Sequence, residues 1–396
     1  MEYGGSVTGS TDEAAGVPPG GRLRILLVIK CLGYGGAERL LVDMVANRDE
    51  RAFHYEVAYV LASEDGLVPT ITANGTPVHS LGARGNWDLR WMTRLRSLVV
   101  AGDFDVVHFH LPYTASLGRL VVATLPKSTR PAIVYTEHSV WDKMAILIKG
   151  LNRATIGLDQ SLVVVSQAAH DALPDGLKDR ARVIVHGVDL SRSDALAARR
   201  DEIRADVRSE LGVPEDELLV LTVANLRPEK GYDVLLDTAR LAADRGLTVR
   251  FAAVGRGPLD AELKDRHRQL GLGDRFRFLG ERDDVLRLLT GSDVFVLPSR
   301  QEGLPVTLME ATSVGIAIVA TAVGGVPQVI TDGVDGLIVP PGSPTALADA
   351  IGRLALDPAL RRHLGDGAKQ RSSMFDVAAA SHEVEAIYRQ LAGSRR

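Results

Sequence analysis

The chain has a single cysteine, Cys31, so no intrachain disulfide can form, and a reducing compartment is the simplest reading. Cys31 closes the apolar run Ile25 to Ile29 and reads as a small buried hydrophobe rather than a nucleophile. No stretch of about 18 uncharged apolar residues occurs, which argues against a membrane-spanning helix. The opening segment, MEYGGSVTGSTDEAAG, lacks both a basic start and an apolar core, so it does not read as a signal peptide. Positive charge is not in excess either: the formal net charge is −4, which gives no electrostatic case for nucleic acid as the main partner. A local basic patch can still meet an anionic membrane, because net charge says nothing about distribution.

What is present is an ordinary globular composition, 45% hydrophobic and 24% charged over 396 residues, a length that implies two domains. Residues 1–20 are rich in Gly, Ser and Pro and read as a disordered tail. Apolar runs then alternate with segments of helical period. RILLVIK (24–30), HYEVAYVLA (54–62), DVVHFH (105–110), AIVYTEH (132–138), SLVVVS (161–166) and RVIVHGV (182–188) read as strands. Helices are expected at 37–46, over 88–101 and from about 141 to 153. After a charged stretch, 191–217, the pattern restarts with strands at 218–226, 249–255, 276–280, 293–299, 317–321 and 336–340. Continuous Val, Ile and Leu runs suit parallel strands covered on both faces, and the alternation argues for two open α/β sheets. The domain junction is expected near 195–196, and a last helical segment from Asp376 to about Leu391.

Glycines cluster where strands give way to helices. Gly33, Gly35 and Gly36 follow the first strand; Gly255 and Gly257, then Gly303 and then Gly324 and Gly325, follow strands of the second half. Such turns let backbone N–H groups approach an anion at a helix N-terminus, and loops at the carboxyl ends of parallel strands line the ligand crevice. The alternative is that each glycine simply makes a tight turn.

Two carboxylates, Glu302 and Glu310, lie eight residues apart in RQEGLPVTLME (300–310), the first in a loop and the second on the following helix. Carboxylates accept hydrogen bonds from hydroxyls such as those of a sugar or ribose. Glu310, flanked by Met309 and Ala311, is costly to bury without such partners.

This segment resembles the E-x7-E motif of retaining glycosyltransferases of family 4, which have the GT-B fold. The surrounding PSRQEGLPVTLMEATSVGIAIVATAVGGVPQVITDG, the NLRPEKG of 225–231 and the early GGAER (35–39) agree with it. The resemblance covers about 22–391. It implies two Rossmann-like domains facing across a central cleft, with a C-terminal helix (376–396) able to pack back on the first. Residues 21–195 would form the acceptor domain and 196–375 the nucleotide-sugar domain.

The resemblance also implies roles. Glu302 faces the donor sugar, Glu310 the ribose hydroxyls, and Lys230, with Arg227, neutralises the diphosphate. His138 is the active-site histidine of the first domain. Gly35, Gly36, Gly255, Gly257, Arg282, Gly303, Leu304, Pro305 and Val306 border the donor. Many members carry a basic residue where this chain has Asn225, a departure that leaves open whether Arg227 takes its place. His186 is a second departure, since that position usually holds Asn. Glu137, beside His138, is either a contacting group or an orienting partner.

His108 and His110 share one face of a strand. With no matching third ligand, they read as core or site-lining residues rather than metal ligands, and the resemblance implies no catalytic metal and no cofactor. The expected reaction moves a sugar from a nucleotide diphosphate donor, a UDP-sugar ahead of GDP-mannose, to a hydroxyl of a glycan, glycolipid or small molecule, in the cytoplasm or at the inner membrane face. The segments around Trp91 and from Trp141 to Lys149 mix basic and apolar residues, as surfaces that meet membranes do and as helices that pack on a sheet also do. Two other readings fit parts of the chain: a nucleotide-cofactor oxidoreductase, supported by Gly33 and Gly35, and a non-catalytic sugar-nucleotide-binding protein. The second domain's E-x7-E pattern argues against the former.

Overall fold

A computed structural model describes residues 21–138, 141 and 144–393. The tail expected over 1–20, and Asp142 and Lys143 of the Trp141 segment, lie outside the described residues.

The first lobe is a parallel sheet of seven strands, β1 (Leu23–Ile29), β2 (Phe53–Leu61), β3 (Val78–Ala83), β4 (Val106–His110), β5 (Ala132–Glu137), β6 (Ser161–Val164) and β7 (Ala181–Val183), in the order β3-β2-β1-β4-β5-β6-β7. The second has six, β8 (Leu218–Val223), β9 (Val249–Val254), β10 (Phe276–Gly280), β11 (Val294–Leu297), β12 (Ala317–Thr321) and β13 (Leu337–Val339), ordered β10-β9-β8-β11-β12-β13. Every pairing within both sheets is parallel. In each lobe the order reverses beside the first strand, between β1 and β4 and between β8 and β11. That reversal opens a crevice at the strands' carboxyl ends.

The strand readings hold in the sheet centres, where β1, β4 and β5 are buried almost throughout. The run 182–188 yields only a short strand, Ala181–Val183, because the chain then leaves the sheet to cross between lobes. Two crossings lie side by side: the Val188 N–H donates to the Phe375 carbonyl at 2.8 Å and the Val377 N–H to the Val188 carbonyl at 3.2 Å. Helices Leu190–Ala197 and Arg200–Leu211 pack on the second lobe, so the spatial junction lies near Val188.

After the second crossing, helix Val377–Gly393 returns to the first lobe. Val384, Ile387 and Tyr388 join the core beneath β1 and β2, and Glu385 accepts from the Asp49 N–H at 2.9 Å.

Trp91 is fully buried, so helix Arg90–Gly102 packs on the sheet with its apolar side. The helix expected from about 141 begins at Ile146 and runs to Thr155; Ile146 and Leu147 are exposed. No helix among the described residues is long and apolar enough to cross a membrane.

Candidate active site

Loops from both lobes meet at the carboxyl ends of the two sheets. A methyl group built on Gly36 would lie 3.5 Å from Val306 Cγ2, and one on Gly303 would lie 3.5 Å from the His138 carbonyl oxygen. Two helix N-termini, those of Gly36–Ala46 and Val306–Val314, therefore border the same gap.

Helix Val306–Val314 follows from its sequence. VTLMEATSV is apolar nearly all round, and such helices bury every face; all but Thr307 are buried here. Gly315 ends it in a left-handed conformation, φ 67°. Glu310 is carried inside on this helix. Burial pushes its carboxyl up to about 7, against the opposing influence of Arg39. Its carboxylate lines a cavity of about 200 Å³ between the lobes, beside Arg39, Asp43 and Arg192.

Glu302 is buried in the loop before that helix. Lys230 Nζ donates to both of its carboxylate oxygens at 2.7 Å, and Ser299 Oγ donates to Oε1 at 2.6 Å. The structure thus joins two residues 72 positions apart in sequence. Arg227 is exposed a few residues before Lys230 and, among the described residues, has no ion-pair partner. Asn225 is exposed as well. Arg282 is drawn elsewhere: its guanidinium donates to both oxygens of Asp284 and to Glu210, each at 2.8 Å. That network, and not the Lys230–Glu302 cluster, takes up its charge.

The glycine loops divide into two kinds. Gly255, at φ +151°, and Gly324, at φ +51°, allow loop to lie on loop: an added methyl would stand 1.9 Å from the Ala224 oxygen and 2.0 Å from the Glu302 oxygen. Gly257 is pressed on the Leu226 carbonyl in the same way. Backbone packing is sufficient reason for these three. Gly36 and Gly303, with Leu304, Pro305 and Val306 beside Gly303, are the ones that border the gap.

Gly35 caps helix Gly36–Ala46, yet the helix end is not bare. Glu38, at the third helical position, folds back so that its carboxylate lies over Gly35. Cys31 Sγ donates to it at 3.0 Å, and burial raises its carboxyl above the usual range. A Glu three residues past the cap is a sequence signal for this arrangement, so the amides expected to receive phosphate already face a carboxylate.

On the first lobe, His138 Nε2 lies 3.0 Å from His110 Nδ1. His110 stacks on His108 with 4.2 Å between ring centres, and His186 meets His138 edge-on at 5.6 Å. Burial holds His108, His110 and His138 neutral well below the ordinary imidazole value, and His186 down to about 4. Glu137 is buried and accepts from the Tyr135 hydroxyl. Among the described residues, no three His, Cys, Asp or Glu side chains form a group able to hold a metal ion.

Residues 34–192 match the model for "Glycosyltransferase Family 4" and residues 203–371 that for "Glycosyl transferases group 1". A D-inositol 3-phosphate glycosyltransferase of Saccharomonospora viridis is 31% identical over 314 residues, 73% of this chain and 70% of that one. An N-acetyl-alpha-D-glucosaminyl L-malate synthase of Bacillus anthracis is 26% identical over 292 residues, 72% and 74% of the two chains. Among solved structures, Anabaena HepE in complex with UDP-glucose superposes with a TM-score of 0.79 at 22% identity, over 93% of this chain and all of that one. A sucrose-phosphate synthase from Thermosynechococcus elongatus superposes with a TM-score of 0.75 at 20% identity, over 94% of this chain and all of that one. Two facing Rossmann-like lobes with loops meeting at one gap are the GT-B architecture of sugar transferases. The chain belongs to glycosyltransferase family 4, and it is a glycosyltransferase.

Proposed function

We propose that the protein moves a sugar from a nucleoside diphosphate donor to an acceptor hydroxyl, with retained anomeric configuration and without a metal ion. The observation that carries this reading is the Lys230–Glu302 pair, a buried carboxylate held at 2.7 Å by a half-buried ammonium, in the loop that leads into helix Val306–Val314 and meets the first lobe at Gly303. Breaking a glycosyl–phosphate bond develops negative charge on the leaving diphosphate. Lys230, Arg227 and the amides that begin helix Val306–Val314 offer fixed positive charge and dipoles for it. Glu302 and His138 hold the sugar hydroxyls, and Glu310 accepts from the ribose. Holding the acceptor hydroxyl against the anomeric carbon supplies much of the remainder.

A UDP-sugar is favoured as donor, since the superposed HepE structure carries UDP-glucose. The L-malate and D-inositol 3-phosphate in the relatives' names are small hydroxyl-bearing anions, which favours a small soluble acceptor. Thermal melting and nucleoside diphosphate release, run across UDP-sugars and GDP-mannose with and without EDTA, test the reading. One donor is expected to raise Tm and to turn over equally in both conditions. Turnover abolished by EDTA overturns the metal-independent route, and no response to any donor overturns the donor class.

A further inference from the structure

His110 and Thr136 are partners in the parallel register of β4 and β5. Side chains two apart share a face, so His108 and His110 of β4 stand on one side with Thr136 and then His138. The rings meet there: His110 Nδ1 and His138 Nε2 are 3.0 Å apart. A neutral imidazole carries one N–H and one lone pair. Two neutral rings that share one hydrogen bond therefore leave one N–H and one lone pair on their outer nitrogens. Those outer atoms, His110 Nε2 and His138 Nδ1, are buried and have no hydrogen-bond partner among the described residues. Buried nitrogens are rarely left so without a ligand, ion or water to complete them or a catalytic role to explain them.

The surroundings hold His110 firmly. The Thr114 hydroxyl donates to its carbonyl. Leu111, the next residue, has φ 70° and ψ 144°, a conformation that residues other than glycine seldom adopt. His108, stacked beneath, is itself fixed by the Tyr388 hydroxyl at 2.5 Å and Thr136 Oγ1 at 2.7 Å.

We propose that His110 holds His138 in one tautomer, so that the two rings together present one donor and one acceptor to sugar hydroxyls. This rests on the glycosyl-transfer reading and specifies one end of its site. A hydroxyl both donates and accepts, so hydroxyls can satisfy both outer nitrogens. A phosphate or carboxylate oxygen only accepts and leaves the lone pair unmet. The histidine pair thus selects the sugar end of the donor.

The test uses the full chain labelled with 15N-histidine, in wild type, His110→Phe and His110→Asn, with kcat and KM for the active donor. The Asn amide reaches roughly where Nδ1 lies, so it can keep the bond to His138. In wild type the two His138 nitrogens are expected at the well-separated shifts of a single tautomer. In His110→Phe they move toward averaged values and kcat/KM falls roughly 10-fold, about the worth of one hydrogen bond; His110→Asn, which keeps the bond to His138 but lacks Nε2, restores the shifts and part of kcat/KM. Wild-type shifts and kcat/KM in His110→Phe overturn the proposal, as does an Asn variant that fails as badly as Phe with its His138 shifts unrestored. The shifts are read without substrate, so a wild type inert to every donor defeats the transfer reading separately.

Discussion

Replacing Lys230 with alanine is expected to lower kcat/KM for the donor by about 10²- to 10³-fold, the range for removing one preorganised charge-stabilising donor. Two losses combine. The leaving diphosphate loses a cation, and Glu302 loses the ammonium that holds both of its oxygens at 2.7 Å and keeps the Ser299 hydroxyl. Lys230→Arg is not expected to restore activity, because a planar fork cannot replace a compact ammonium at a point between a carboxylate and a diphosphate. Glu302→Ala is expected to cost a similar factor by releasing the sugar hydroxyl and the lysine together. Residues that act as a unit are not additive, so the double variant should be scarcely slower than the worse single one. Steady-state kinetics on the four proteins reads this directly. Multiplied losses would mean that the two side chains act independently.

Glu310→Gln is expected to weaken donor binding and stabilise the fold at once. Burial raises the Glu310 carboxyl from an ordinary 4.5 to about 7. The folded chain therefore binds this proton more tightly than the unfolded chain does, and folding stability falls as pH rises from 4.5 to 7. A span of that size corresponds to about 3 kcal/mol, present as extra cost above neutrality and absent in acid. Urea unfolding at several pH values should show the wild type losing roughly that much relative to Glu310→Gln across the window, while KM for the donor rises about 10-fold through loss of a charged acceptor. Parallel stability curves would show that Glu310 is solvated rather than buried.

The fold was legible where burial is uniform. β1, β5 and β11 are buried on both faces and carry apolar runs of four or more residues, ILLVI, AIVY and VFVL, while β4 is equally buried but is broken by His108 and His110. β3 was not expected: it is an edge strand in which only Leu81 and Ala83 are buried, so its sequence alternates weakly. The run 182–188 looked like a whole strand because the crossing at Val188 is as apolar as a sheet interior.

The site divides the same way. Glu302 and Glu310 stand eight apart in one segment, and their roles were legible through its resemblance to the E-x7-E motif. The bond from Lys230 to Glu302 spans 72 positions and leaves no local trace. His110 was visible only as half of a His-x-His pattern, since its neighbour His138 depends on the register between β4 and β5. Arg282, expected at the donor, is held instead by Asp284, two residues on, and by Glu210, 72 positions back on another helix.

Hydrogen–deuterium exchange with and without the active donor tests the two-lobed grip most directly. Protection is expected together in 36–46 of the first lobe and in both 228–232 and 302–311 of the second. Protection confined to one lobe, or absent from 302–311, contradicts a donor held between them.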